Sequence, residues 1–285
     1  MPNPRVFARG FNFPEAPAFD RQGNLYVGNM RVNPGVIHVV TPDGKVSEWT
    51  RTSGYVNGMA FDKEGNIFAC DAGLRAILKI TPKKEVSCVC PSYRGRPLGG
   101  PNDLVFDSQG NLYFTDPVRR PILLSLIRPT PDLALSPVFV LDPRGRPTLV
   151  ADSLAFPNGI GLMPDEKTLI VAASRRDQLL AIAIKRDGTF GEPKLFHQFA
   201  EGWHPDSLKV DAEGNVLAAM LGHGCIAVVS PAGKLVEEIP AGGKRPSNLA
   251  FGHPNNKLLY ITETETNSVT LVEYSRPGLA PYGLS

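Results

Sequence analysis

The chain has 285 residues, 42% apolar, 20% charged and 8% aromatic, with a formal net charge of +2. Such a chain is long enough for a sizeable globular core. Its near-neutral, unblocked charge offers no footprint for nucleic acid or an anionic membrane, and no stretch approaches the roughly 18 apolar residues of a membrane span.

Gly (28) and Pro (27) favour short strands and turns over long helices. Met1 to Phe7 lack the apolar run of a signal peptide. Cys70, Cys88, Cys90 and Cys225 follow no zinc or redox spacing, so reduced cysteines in a cytoplasmic protein are expected.

In chain order, the first predicted element is a lone strand, Arg5-Val6-Phe7-Ala8. A pattern that occurs six times follows, beginning with Pro14-Glu15-Ala16-Pro17-Ala18-Phe19-Asp20. Its further copies start at Val56-Asn57-Gly58, Pro101-Asn102-Asp103, Pro157-Asn158-Gly159, Pro205-Asp206-Ser207 and Pro246-Ser247-Asn248. The apolar anchors Phe19, Phe61, Phe106, Leu162, Val210 and Phe251 are 42, 45, 56, 48 and 41 residues apart. A period of this length marks a repeat architecture.

Each copy continues through a turn into a second strand, such as Leu25-Tyr26-Val27 or Leu112-Tyr113-Phe114. Four of these turns run from Asp to Gly-Asn: Asp20 to Asn24, Asp62 to Asn66, Asp107 to Asn111 and Asp211 to Asn215. Asp and Asn suit turns and Gly supplies positive φ. A third strand (Val36 to Val40) and a more polar fourth (Val46 to Trp49) complete the first unit. In the second unit, Cys88 and Cys90 are expected on one face of a strand.

Four antiparallel strands repeated six times predict an all-β fold, a six-bladed β-propeller. The last unit lacks a clear fourth strand, so Arg5 to Ala8 is expected to complete it and close the ring. Residues 1–285 then form a single domain.

Running each first strand from the upper mouth downward puts the Asp-to-Asn turns on the lower face. At the upper end, the residue four before each anchor reads Glu15, Asn57, Asn102, Asn158, Asp206 and Ser247 round the ring. Every one is polar, although the strands they begin are apolar. Oxygen-bearing side chains converging on one axis, without Cys or His, describe a site for a hard divalent cation. Calcium fits best, magnesium and manganese stay open, and zinc fits less well. A water-filled polar channel is the alternative.

Second-strand ends also reach the upper mouth, at Asn29-Met30, Asp71, Thr115-Asp116, Ser174-Arg175, His223 and Glu263, and are candidate substrate contacts. His204 is a candidate proton shuttle beside the ring, whereas His38 and His197, within strands, read as structural. Blade three carries a Pro- and Leu-rich insertion, residues 119–137, expected to be a lid or a subunit contact.

These residues resemble the gluconolactonase family, also called the senescence marker protein or regucalcin-like family, over nearly the full chain. The resemblance rests on Pro14-Glu15-Ala16-Pro17, Gly100-Pro101-Asn102-Asp103, Leu112-Tyr113-Phe114-Thr115-Asp116-Pro117, Phe156-Pro157-Asn158-Gly159 and Pro205-Asp206-Ser207. It implies one axial divalent cation held by Glu15, Asn158 and Asp206, with Asn102 reaching the metal or the substrate. Animal-type sugar-lactone hydrolases carry arginine where this chain has Gly100; Arg175 could bring that charge from another blade.

The expected activity is metal-dependent hydrolysis of a sugar or other small lactone. The cation polarises the carbonyl, Asp206 serves as ligand and general base toward a nearby water, and Asn102 and Asp103 orient the substrate. Asp116, Arg175 and His223 are the remaining substrate-binding candidates. The alternatives are phosphotriester or aryl-ester hydrolysis at the same site, a non-catalytic calcium-binding propeller, and a strictosidine-synthase-like condensing propeller.

Overall fold

The computed structural model describes residues 3–31, 35–117, 135–252 and 255–284. Six sheets of four antiparallel strands follow one another along the chain. Blade 1 is Pro14–Phe19, Leu25–Asn29, Val36–Val40 and Val46–Arg51. Blade 2 is Val56–Phe61, Ile67–Asp71, Ala76–Ile80 and Val86–Cys90. Blade 3 is Leu104–Phe106, Leu112–Thr115, Leu135–Leu141 and Pro147–Ala155. Blade 4 is Pro157–Leu162, Thr168–Ala173, Gln178–Ala183 and Lys194–Gln198. Blade 5 is Pro205–Val210, Val216–Met220, Cys225–Val229 and Leu235–Pro240.

Blade 6 joins the two ends of the chain. Pro246–Gly252, Leu258–Glu263 and Ser268–Glu273 supply its inner strands, and Arg5–Arg9 pairs antiparallel with Ser268–Glu273 as the outermost. The lone N-terminal strand therefore stands where the sequence predicts it. Among the described residues, no helix is long and apolar enough to cross a membrane.

The core lies in the seams. Six apolar clusters each take side chains from two neighbouring blades. The cluster that decides the architecture joins Phe19, Leu25 and Val27 of blade 1 to Ala250, Tyr260 and Val269 of blade 6. A solenoid would leave those blades apart. Closing this seam buries two apolar faces and leaves no exposed end to the repeat.

The lower turns are built alike. In all four Asp-to-Asn turns, the Asp Oδ1 accepts N–H groups two and four residues on, and Oδ2 accepts the Asn amide, at 2.7–3.0 Å. The glycine before each Asn has φ of 80–83°, where a side chain would be strained.

Below the strands' midpoints, the six anchors Phe19, Phe61, Phe106, Leu162, Val210 and Phe251 line one apolar cavity on the axis. The C-terminal segment crosses beneath it. Leu279 N–H donates to the Val210 carbonyl at 3.3 Å, Tyr282 stacks on Phe106 at 5.0 Å, and Gly283 O accepts Arg21 Nε at 3.0 Å.

One expectation needs correction. Cys88 is exposed and Cys90 buried. Their shared strand carries a β-bulge, Cys90 pairing with Ile77 and Cys88 with Leu78, which breaks the alternation that would put them on one face. Most of the 119–137 insertion lies outside the described residues, and its last three residues begin the strand Leu135–Leu141.

Inner strands approach closely where they carry glycine. A Cβ on Gly159 would lie 2.6 Å from the Asp206 carbonyl oxygen and 2.6 Å from Ser207 Cα, both backbone atoms that cannot rotate away. Gly159→Ala is therefore expected to cost about 1–3 kcal/mol of stability, read as a lower urea midpoint. An unchanged midpoint would mean that the two strands part freely.

Candidate metal centre

The ring positions begin as backbone geometry. Glu15, Asn57, Asn158, Asp206 and Ser247 are each the second residue of an inner strand, while Asn102 lies two residues before Leu104. At these points the ladders slip. Register shifts fall between Glu15 and Ala18, Val56 and Gly58, Pro157 and Ile160, Pro205 and Leu208, and Pro246 and Asn248. A bulge re-aims the residues beside it, so side chains that would alternate across a flat strand can turn toward the axis.

The backbone is strained just before three of these strands. Phe13, Phe156 and His204 have φ of 56°, 59° and 49°, and each precedes the proline that opens an inner strand. Left-handed geometry at a non-glycine residue costs about 1–3 kcal/mol and persists only where neighbours hold it. Here they do: the Phe13 N–H donates to Asn267 Oδ1 at 2.9 Å and the His204 N–H to Asp177 Oδ1 at 2.6 Å.

Neighbouring blades bring the ring residues together. Ser247 Oγ donates to the Pro14 carbonyl at 3.0 Å, and Thr115 Oγ1 to the Asn158 carbonyl at 2.7 Å. Glu15 is 5% exposed, and its carboxyl is pushed well above the ordinary value of 4.5. Burial is the largest cause, followed by repulsion from Asp206 and then Asp103; hydrogen bonds with Ser247 and Asn248 pull the other way. Asn158 is buried too, and its Oδ1 accepts no hydrogen bond. A buried carbonyl oxygen without a donor is costly, and it stands in the same ring as two mutually repelling carboxylates. That donor set, acids plus an orphaned amide oxygen, suits a hard divalent cation.

The remaining predicted residues fall in different surroundings. Asn102 is buried, and its N–H donates to the Thr115 carbonyl at 2.9 Å. Asp103, also buried, accepts the Ser207 hydroxyl and the Leu104 N–H, with Lys209 Nζ at 3.7 Å. Asp116 accepts the N–H groups of Gly99 and Gly100, both at 2.8 Å. Arg175 is exposed and lies over the Phe156 ring, 5.1 Å from its centroid, beside the strand that carries Asn158. His223 is on the rim of blade 5, where Nε2 is 3.2 Å from Glu238 Oε2.

The polar second-strand ends also have a structural task that their spacing does not disclose. Asn29 accepts the N–H of Asn12, Asp71 that of Tyr55, Asp116 those of Gly99 and Gly100, and Glu263 that of Arg245. Each clamps the segment leading into the inner strand of its own blade. The sequence signal was present, a polar residue closing an apolar strand, but its partner is 16–18 residues away.

Comparison with known proteins agrees with this architecture. Residues 13–265 match the SMP-30/Gluconolactonase/LRE-like region. A gluconolactonase of Zymomonas mobilis is 30% identical, over 89% of this chain and 77% of its own length. The diisopropyl-fluorophosphatase of Loligo vulgaris is 27% identical, over 94% of this chain and 91% of its own. Among solved structures, a gluconolactonase from Xanthomonas campestris superposes with a TM-score of 0.81 at 26% identity, covering 97% of this chain and 90% of that one. A closed six-bladed ring whose residues 13–265 match the family model thus makes this chain a member of the SMP-30/Gluconolactonase/LRE-like family.

Proposed function

We propose that the protein is a divalent-cation-dependent lactonase acting on a sugar lactone or similar small cyclic ester. The observation that carries this reading is the pairing of an unsatisfied Asn158 Oδ1 with the raised, buried Glu15 carboxyl in one ring. Glu15, Asn158 and Asp206 would hold the cation, with Asn102 beside them. Oxygen donors of mixed charge favour calcium over metals that seek nitrogen or sulfur. When bound, the cation supplies Lewis-acid polarisation of the lactone carbonyl.

The chain's own groups then divide the work. Asp206 is only partly buried, unlike Glu15, so it is the carboxylate that can meet both water and substrate. It takes a proton from the water that attacks the carbonyl carbon and returns it to the ring oxygen as the ester C–O bond opens. The product is a hydroxy acid, which ionises at neutral pH. Asn102 and Asp103 fix the substrate's orientation, Asp103 acting within its bonds to Ser207 and Leu104. Arg175, exposed beside the Asn158 strand, would meet polar substituents of the substrate.

A phosphotriesterase reading of the same site is favoured by the match to the diisopropyl-fluorophosphatase. The deciding experiment is a panel of lactones and organophosphates, assayed by proton release on chelator-stripped protein with each divalent cation restored in turn. Lactone turnover that returns with calcium supports the proposal; turnover of organophosphates alone selects the rival, and activity untouched by chelation removes the cation from the chemistry.

Asp206→Asn keeps an oxygen donor but cannot accept a proton, and should lower kcat by about 10²–10⁴-fold. Circular dichroism should show its fold unchanged. Near-normal turnover would reassign the base.

The Glu15 carboxyl also fixes a pH dependence. Its folded-state pKa lies above 4.5, so between the two values the folded chain holds a proton that the unfolded chain has lost. Its contribution to metal-free stability is therefore fully present below 4.5 and is lost as pH rises through the raised pKa. Calcium should reverse the loss at the upper end, and Glu15→Gln should flatten the metal-free profile of Tm against pH. Metal-free profiles of the same shape in wild type and Glu15→Gln would contradict the placement of Glu15.

A further inference from the structure

Away from the axis, the rim of blade 5 gathers three side chains of unlike chemistry. His223 lies in the turn between the second and third strands, Cys225 opens the third, and Glu238 sits on the outermost. Their ligand atoms all lie within 4.8 Å of one another. His223 Nε2 is 3.2 Å and Cys225 Sγ 3.9 Å from the same Glu238 oxygen.

From these contacts we infer a second metal site, built for a borderline-soft divalent cation such as zinc and independent of the axial ring. Nitrogen, thiolate sulfur and carboxylate oxygen are the three donor types zinc accepts, at bond lengths of about 2.0–2.3 Å. Tetrahedral bonds of that length separate neighbouring donors by about 3.3–3.6 Å. The two edges that meet at the Glu238 oxygen, 3.2 and 3.9 Å, bracket that span. The third edge, from His223 to Cys225, is no longer than 4.8 Å and closes by small shifts of the His223 and Glu238 side chains, 41% and 45% exposed, with the imidazole staying in the plane of its stack. Water completes the fourth position, and the Cys225 proton leaves to solvent on binding.

The imidazole is already oriented. Its ring stacks on Trp203 with centroids 4.0 Å apart and planes 10° from parallel, and Trp203 in turn stacks on Phe199 at 5.6 Å. Holding the ring before the ion arrives reduces the ordering cost of binding. The stack also gives the site a reach toward the hub. Trp203 accepts the Gly222 N–H at 3.1 Å and precedes Asp206 by three residues, so an ion on the rim would brace the segment that delivers Asp206.

The test is titration of calcium-loaded, full-length protein with Co²⁺ and then Zn²⁺. Wild type should bind one equivalent of cobalt with a near-ultraviolet thiolate-to-cobalt band and the intense visible bands of a tetrahedral ion, and zinc should abolish both. Cys225→Ser should remove the thiolate band, while Glu238→Gln and His223→Ala, both at exposed positions, should weaken cobalt binding at least tenfold. Asp206→Asn should leave the band intact, separating this site from the axial one. Absence of the band in wild type, or its persistence in Cys225→Ser through Cys70, Cys88 or Cys90, would overturn the inference. So would cobalt binding unchanged in both His223→Ala and Glu238→Gln.

Discussion

Two acids that the chain must bury near one another govern this structure. Glu15 is removed from water and feels Asp206 and Asp103, and the groups that act on it most strongly include no cation. Asp103 is compensated locally by Lys209, Ser207 and a backbone amide. Glu15 has hydrogen-bonding help from Ser247 and Asn248, which is outweighed by burial and by the two acids. A fold that holds a carboxyl in this state must obtain its stability elsewhere, and the six apolar seams are where it does so. Hub and rim are thus opposite sides of one balance, polar tension at the centre and dry packing between the blades.

That division explains which parts were legible in the sequence. Apolar anchors at near-constant spacing, and Asp-to-Asn turns with glycine, are local patterns with local causes, so blade number and turn placement follow directly. Ring closure was legible because one blade lacked a strand and the opening residues had one unpaired. The polar residue at the start of each inner strand was readable too, since it breaks the apolar pattern of the strand that follows.

What stayed hidden depends on contacts across distance. The bulges at the hub, and the one that separates Cys88 from Cys90, are register events between strands, and neither strand records them alone. The clamping role of Asp71, Asp116 and Glu263 is likewise invisible without knowing which loop folds back onto each. The rim cluster of His223, Cys225 and Glu238 combines a turn with a strand on the far side of a hairpin, so no sequence spacing announces it.

The C-terminal segment passing under the axis ties distant parts of the ring to one another. Leu279 bonds to Val210 of blade 5, Tyr282 stacks on Phe106 of blade 3, and Gly283 accepts Arg21 from the first turn of blade 1. A loss at any one of these contacts is therefore passed to blades that share no seam. The tail works as a girth strap, drawing separate sectors of the wheel to a common point.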